Sequence, residues 1–243
     1  MRYGVEVMTN DVNSNGYYKD IVTDSMWNTK SRYPDGGNKQ NSFAAYFTHR
    51  WEINKKFILS DGVRLSSISL KSTFKDTTVF PYPFSNVNNN FSALNGNIGL
   101  VYLPGHDWRL VVLAATGFRA GNLDDVTKFF DSKPGSVLVV PNGRLKPEYV
   151  TSGEITIAKE FNHATLVELN TYFSSFSNII ITAPYQLNGQ DSIMYNGKLT
   201  AVQANQNKRN AYITGFTLNV ESELTPSFSM SHSLTYTYGR LND

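Results

Sequence analysis

The chain of 243 residues carries 22 Lys and Arg against 20 Asp and Glu, a formal charge of +2, and charged residues make up only 17%, below the roughly 25% usual for soluble domains. Its basic residues are scattered rather than striped between stacking aromatics, which argues against a nucleic-acid partner. The absence of cysteine excludes disulfide staples and thiolate metal sites, while the length alone fits either one large β domain or a chain with a buried core.

Tyr3, Val5 and Val7 open a strand-like stretch, followed by a long polar link from about Asn10 to Gln40. Within that link Asp11-Val12-Asn13-Ser14-Asn15-Gly16 matches the first half of a calcium loop, but Val22 stands where a bidentate Glu is needed, so no metal site is expected. From Phe43 to Ile53 one face reads Phe43, Ala45, Phe47, His49, Trp51, Ile53 and the other Ser42, Ala44, Tyr46, Thr48, Arg50, Glu52. Strand side chains alternate between faces, so this is half-buried strand. A tight link at Asn54-Lys55-Lys56 leads through the Gly62-Val63-Arg64 stretch to a second long link, Thr73 to Asn90. Alternation resumes with Leu94, Ile98, Leu100 and Tyr102, and Pro104-Gly105-His106-Asp107 turns the chain into Trp108–Arg119, apolar on both faces and expected to pack against something inside. A third long link runs from Ala120 to Pro147. A tight turn at Asn162-His163 leads to the strand Val167, Leu169, Thr171, Phe173, and the fourth long link spans Ala183 to Gln206. Two strands close the series, Tyr212–Val220 and Phe228–Tyr238, joined by the short link Glu223-Leu224-Thr225-Pro226.

Long and short links therefore alternate, as in a barrel with long outer loops and short periplasmic turns. No apolar run approaches the roughly 18 residues of a membrane helix, so spanning would be by strands of about ten residues. The expected fold is all-β: an antiparallel transmembrane β-barrel, present as roughly nine strands. A closed bacterial barrel uses an even number, and no charged-then-apolar export signal precedes Tyr3, so residues 1–243 are expected to be part of something longer. The alternative is a soluble all-β adhesin or glycan-binding sandwich, whose apolar faces would meet in a shared core.

The third long link carries the most specific motifs. It opens with Thr116-Gly117-Phe118-Arg119-Ala120-Gly121-Asn122-Leu123-Asp124-Asp125 and closes with Val140-Pro141-Asn142-Gly143-Arg144-Leu145-Lys146-Pro147-Glu148. These resemble the paired "GFRAPN" and "NPNLKPE" boxes of TonB-dependent outer-membrane receptors, with Gly121 and Gly143 where the family usually has Pro. Arg32-Tyr33-Pro34-Asp35-Gly36-Gly37, Gly62-Val63-Arg64 and Tyr236-Thr237-Tyr238-Gly239 extend the resemblance over nearly the whole chain. It implies a partial barrel domain from a receptor of about 22 strands. It also implies outer-membrane lipid as surroundings, an N-terminal plug and the TonB complex as partners, and scarce cargo such as a ferric siderophore, haem or cobalamin. No cofactor is implied.

Two readings of the boxes stay open. In one, Glu148 pairs with Arg119 across the loop base and Pro147 forces an extended start to the next strand. In the other, Arg119, Asn122, Asp124, Asp125 and Lys146 face the plug or the cargo. Loop aromatics, among them Tyr17, Tyr18, Trp27, Tyr33, Phe80, Tyr82, Phe84, Phe129, Phe130, Tyr185 and Tyr195, either pack the loops together or line a cargo vestibule, with Trp27 and Tyr82 the leading cargo candidates. Haem receptors commonly carry a histidine between the boxes, but none lies from Arg119 to Glu148. No nucleophile elbow, zinc-protease pair or phosphate-cradling loop appears, and adjacent carboxylates such as Asp124-Asp125 point apart if extended, so no enzyme is expected.

Overall fold

A computed structural model describes residues 1–29, 31–76, 84–131 and 135–242. In chain order the elements are β1 (Arg2–Val12), β2 (Gly16–Lys19), β3 (Met26–Thr29), β4 (Asn38–Glu52), β5 (Phe57–Thr73), β6 (Asn86–Gly105), β7 (Trp108–Arg119) and α1 (Leu123–Thr127). They continue as β8 (Phe130–Asp131), β9 (Val137–Val140), β10 (Glu148–Phe161), β11 (Thr165–Pro184), β12 (Ser192–Tyr195), β13 (Lys198–Thr225) and β14 (Phe228–Asn242).

Among the described residues nine long strands form one antiparallel wall in the order β1-β4-β5-β6-β7-β10-β11-β13-β14. The short links close it at one end. His106 and Asp107 have φ of 51° and 61°, and Asn162 and His163 have 50° and 53°. Two successive positive φ values make the turn geometry that matches strand twist, and short polar side chains tolerate it best.

Register turns the alternation into two surfaces. One row across the wall reads Trp51, Leu59, Leu100, Val112, Ile155, Thr171, Phe216, Tyr236. The adjacent row, one residue along every strand, reads Arg50, Ser60, Gly99, Leu113, Glu154, Tyr172, Gly215, Thr237. The apolar surface is bare: Leu94 is 69% exposed, Val112 53% and Ile155 50%. A sandwich would bury these side chains against a second sheet. The apolar surface of a membrane barrel wall meets lipid instead. On the opposite surface Val111 and Leu113 of the doubly apolar β7 are only half-buried, and the interior packing expected for them lies higher, at the loop end.

Burial is concentrated there. One cluster joins Leu70, Phe74, Val87, Val126 and Leu145, and a second joins Phe129, Leu138, Val140, Leu187, Val202 and Ala204. Long ordered loops need such small cores of their own.

The fourth long link is shorter than its polar sequence implies. Strand β13 runs 28 residues and β11 runs 20, so only residues 185–197 connect them, and β12 folds within that connection. The extra length projects beyond the apolar belt, where β13 pairs with β12 and, in parallel, with β9. That part of β13 buries Thr200, Val202 and Ala204 in the mouth and leaves Leu199 and Ala201 exposed, so its burial alternates while its hydropathy does not. Its pairing with β11 also shifts register between Phe176 and Ile180.

Candidate functional site

The loop between β7 and β10 folds onto the polar surface of the wall, and its two motif boxes meet there. Asn122 caps α1, its Oδ1 accepting from Asp125 N at 2.8 Å while Asp125 Oδ2 accepts from Asn122 N at 3.1 Å. This reciprocal capping box satisfies two otherwise orphaned helix N–H groups. Arg119 then ties three elements: its Nη1 lies 2.5 Å from Asp125 Oδ2, and its Nε donates to Glu148 Oε2 at 2.5 Å. The other Glu148 oxygen accepts from Ile180 N of β11 at 2.6 Å. A guanidinium suits this junction because its planar fork offers fixed, diverging donors.

The second box is held by β13. Asn142 Nδ2 donates to Asn205 O (2.8 Å), and Asn205 Nδ2 donates to Asp125 O (2.9 Å). Asn207 imitates a strand neighbour of Lys146, its Oδ1 accepting from Lys146 N at 2.7 Å and its Nδ2 donating to Lys146 O at 2.9 Å. Lys146 thus takes part through its backbone. Gly121 and Gly143 allow close packing: a Cβ at Gly121 would lie 3.3 Å from Val126 Cγ2, and one at Gly143 would lie 3.2 Å from Val87 Cγ1.

Asp124 and Asp125 do diverge, but from the first turn of a helix rather than from extended backbone. Asp125 faces Arg119, while Asp124 Oδ1 accepts from Arg32 Nε at 2.7 Å. That hydrogen bond raises the pKa of Arg32 further above its ordinary value. The same segment is anchored at Asp35, whose carboxylate accepts from Lys75 N and Asp76 N. Asn205, Asn207 and Arg32 as partners of the boxes were not legible in sequence, because the separations, 92 residues between Arg32 and Asp124, leave no local pattern.

Beside this junction the β2–β3 hairpin forms a cleft with two lobes. One, of about 250 Å³, lies between Tyr17, Met26, Trp27 and Arg32 on one side and Phe74, Thr127 and Phe129 on the other. The second, about 720 Å³, is bounded by Tyr18, Trp27, Phe130, Tyr195 and Asn196. Trp27 lines both lobes and keeps 53% of its surface exposed. The loop aromatics divide accordingly. Phe129 is buried with Tyr185 and Tyr195 packed against its cluster, and Phe84 meets Phe74 edge-on at 5.6 Å. Tyr17, Tyr18 and Trp27 stay exposed along the cleft. Tyr82 and Phe80 lie outside the described residues. His106 and His163 sit in the tight turns at the far end of the wall, and His49 and His232 sit on its apolar surface, so none of the four borders the cleft. Among the described residues no group of three or more His, Asp or Glu side chains is placed to hold a metal ion. The cleft presents aromatic rings, the side chains of Asn28 and Thr29, the guanidinium of Arg32 paired with Asp124, and the carboxylates of Asp35, Asp76 and Asp131.

A family profile described as TonB dependent receptor-like, beta-barrel matches residues 2–243. No match is found among curated protein sequences. Among solved structures, the copper transporter OprC superposes with a TM-score of 0.71 at 17% identity, covering 98% of this chain and 34% of that one. The Serratia marcescens hemophore receptor HasR, solved in complex with its hemophore HasA and heme, gives 0.73 at 11% identity, covering 97% and 38%. The ferric yersiniabactin uptake receptor FyuA from Yersinia pestis gives 0.62 at 17% identity, covering 99% and 32%. This chain spans about a third of the length of these structures. At such identities the likeness shows a shared fold, while the profile match over nearly every residue shows the family: the chain belongs to the β-barrel family of TonB-dependent receptors.

Proposed function

We propose that this chain supplies part of the wall and mouth of an outer-membrane active-transport receptor for a scarce small molecule or chelate, such as a ferric siderophore, haem or cobalamin. In this reading the apolar surface lies in outer-membrane lipid, an N-terminal plug fills the lumen, and energy reaches the plug through TonB. The observation that carries it is the loop folded onto the luminal surface, where Arg119 joins Asp125 to Glu148 beside an aromatic cleft. Structurally similar proteins described as a copper transporter and a ferric yersiniabactin uptake receptor support the assignment of cargo to this class.

The candidate residues take different duties. Trp27 is the cargo contact, and Tyr82 is proposed as a second. Arg119, Asn122, Asp124, Asp125 and Lys146 hold the mouth in the shape that cargo meets. Haem, if it is the cargo, takes no axial histidine from this chain, because all four lie away from the cleft. Cargo accumulation by cells expressing the intact receptor, with and without TonB, tests the reading. TonB-dependent accumulation that Trp27→Ala weakens at unchanged heat stability is the expected result. Accumulation independent of TonB contradicts it.

A further inference from the structure

We propose that Lys39 and Lys71 form a site for the phosphate groups of a membrane lipid, on the outward surface of the wall just above its apolar belt. The inference rests on the membrane placement given under Proposed function. Lys39 and Lys71 stand directly opposite each other in the β4–β5 register. Their direction is fixed by their neighbours: Asn38, Leu70 and Ser72 are buried on the luminal side, so Lys39 and Lys71 project the other way, and both are exposed.

Like charges placed opposite each other in an antiparallel pair repel. The row reads Asp11, Lys39, Lys71, Asn88, and its one carboxylate lies on the Lys39 flank, 4.0 Å from Lys39 Nζ. On the Lys71 flank stands a neutral amide. An anion seated against both ammonium groups removes the repulsion. Height selects the source of that anion. On the same surface the row Val7, Phe43, Ser67, Ser92 ends the apolar belt, and Thr9, Asn41, Ser69, Asn90 follows it. The lysine row comes next, four residues beyond Phe43, about 10 Å along the membrane normal for a strand tilted by about 40°. Lipid headgroups lie at this level, and lysine stems can bend back toward them. At the other lateral edge of the wall a further outward cation, Arg240, stands opposite Tyr212.

The test uses the full-length receptor in neutral detergent. Retention of bisphosphorylated lipid A is compared with retention of its dephosphorylated form by native mass spectrometry, for the wild type, K39Q, K71Q, the double Gln variant and the double Arg variant. The expected result is preference for the phosphorylated lipid, falling about fivefold for each Lys→Gln change and kept by Arg. Equal retention of the two lipids by the wild type, or unchanged retention by the double Gln variant, overturns the site. Displacement of the lipid by millimolar inorganic phosphate overturns the lipid as its source. The heat-modifiable barrel band of the wild type is scored separately. Its absence contradicts the receptor reading, whereas a normal band with indiscriminate retention contradicts only the lipid site.

Discussion

Ile155, in the middle of β10, is 50% exposed and is held by backbone pairing to Val112 and Thr171 on either side; Leu138, in the short strand β9, is fully buried among loop side chains. The wall around Ile155 depends on register and, in the proposed membrane placement, on lipid against its outward surface. The mouth around Leu138 depends on packing and on side-chain amides that cap backbone groups. Damage to one region therefore leaves the other standing, and each prediction below is a way to break that separation in the intact receptor.

The largest effect is expected from Leu138→Ala, which empties part of a sealed cluster and costs about 2–5 kcal/mol locally. Limited proteolysis should then cut the loop between β7 and β10 while the heat-modifiable barrel band persists; loss of the band would mean that wall and mouth fold as one unit. Ile155→Arg puts a cation in the apolar belt at about 2–4 kcal/mol. Denaturant unfolding in liposomes should register that loss, and the luminal neighbour Thr156→Arg should cost far less. Arg119→Ala severs both carboxylate contacts, but the guanidinium is half-exposed, so roughly 1–2 kcal/mol is expected after solvent screening. Uptake should fall with the barrel intact. Asn122→Ala removes the α1 cap for about 1 kcal/mol, visible as faster amide exchange at Asp125.

The smallest effect lies in the β2–β3 turn. Backbone hydrogen bonds from Thr23 and Val22 lower the Asp20 pKa. A depressed carboxylate pKa contributes stability above the unfolded value of about 3.9 and loses it as pH falls through the lower folded value. The amide resonances of Val22 and Thr23 should stay constant down to about pH 4 and move only below it.

The same division explains what could be read from sequence. Nine wall strands and their tight turns follow from period-two alternation and from residues such as His106-Asp107 and Asn162-His163 that accept positive φ. The pairing of Arg119 with Glu148 was legible because a long link must close at its base. Hairpin β2–β3, helix α1 and strands β8, β9 and β12 were not, since each is only two to five residues long, too short for a period to show. Asn205 and Asn207 look like ordinary polar strand residues until the box backbone is set against them. The length of β13 was missed for another reason: beyond the belt its buried side carries Thr200, Val202 and Ala204 and its exposed side Leu199 and Ala201, so hydropathy does not alternate although burial does.

Outward and inward alternation of the wall is the claim on which the rest depends. Spin labels at single cysteines introduced at Leu94, Val112 and Ile155, and at their neighbours Asn95, Leu113 and Glu154, measure it directly in the full-length receptor in lipid vesicles. The first three sites should be accessible to oxygen and shielded from a water-soluble nickel chelate, and the second three should be shielded from oxygen. Oxygen accessibility without alternation, or labels at Val112 and Ile155 shielded from both reagents as in a protein core, would contradict a lipid-facing wall.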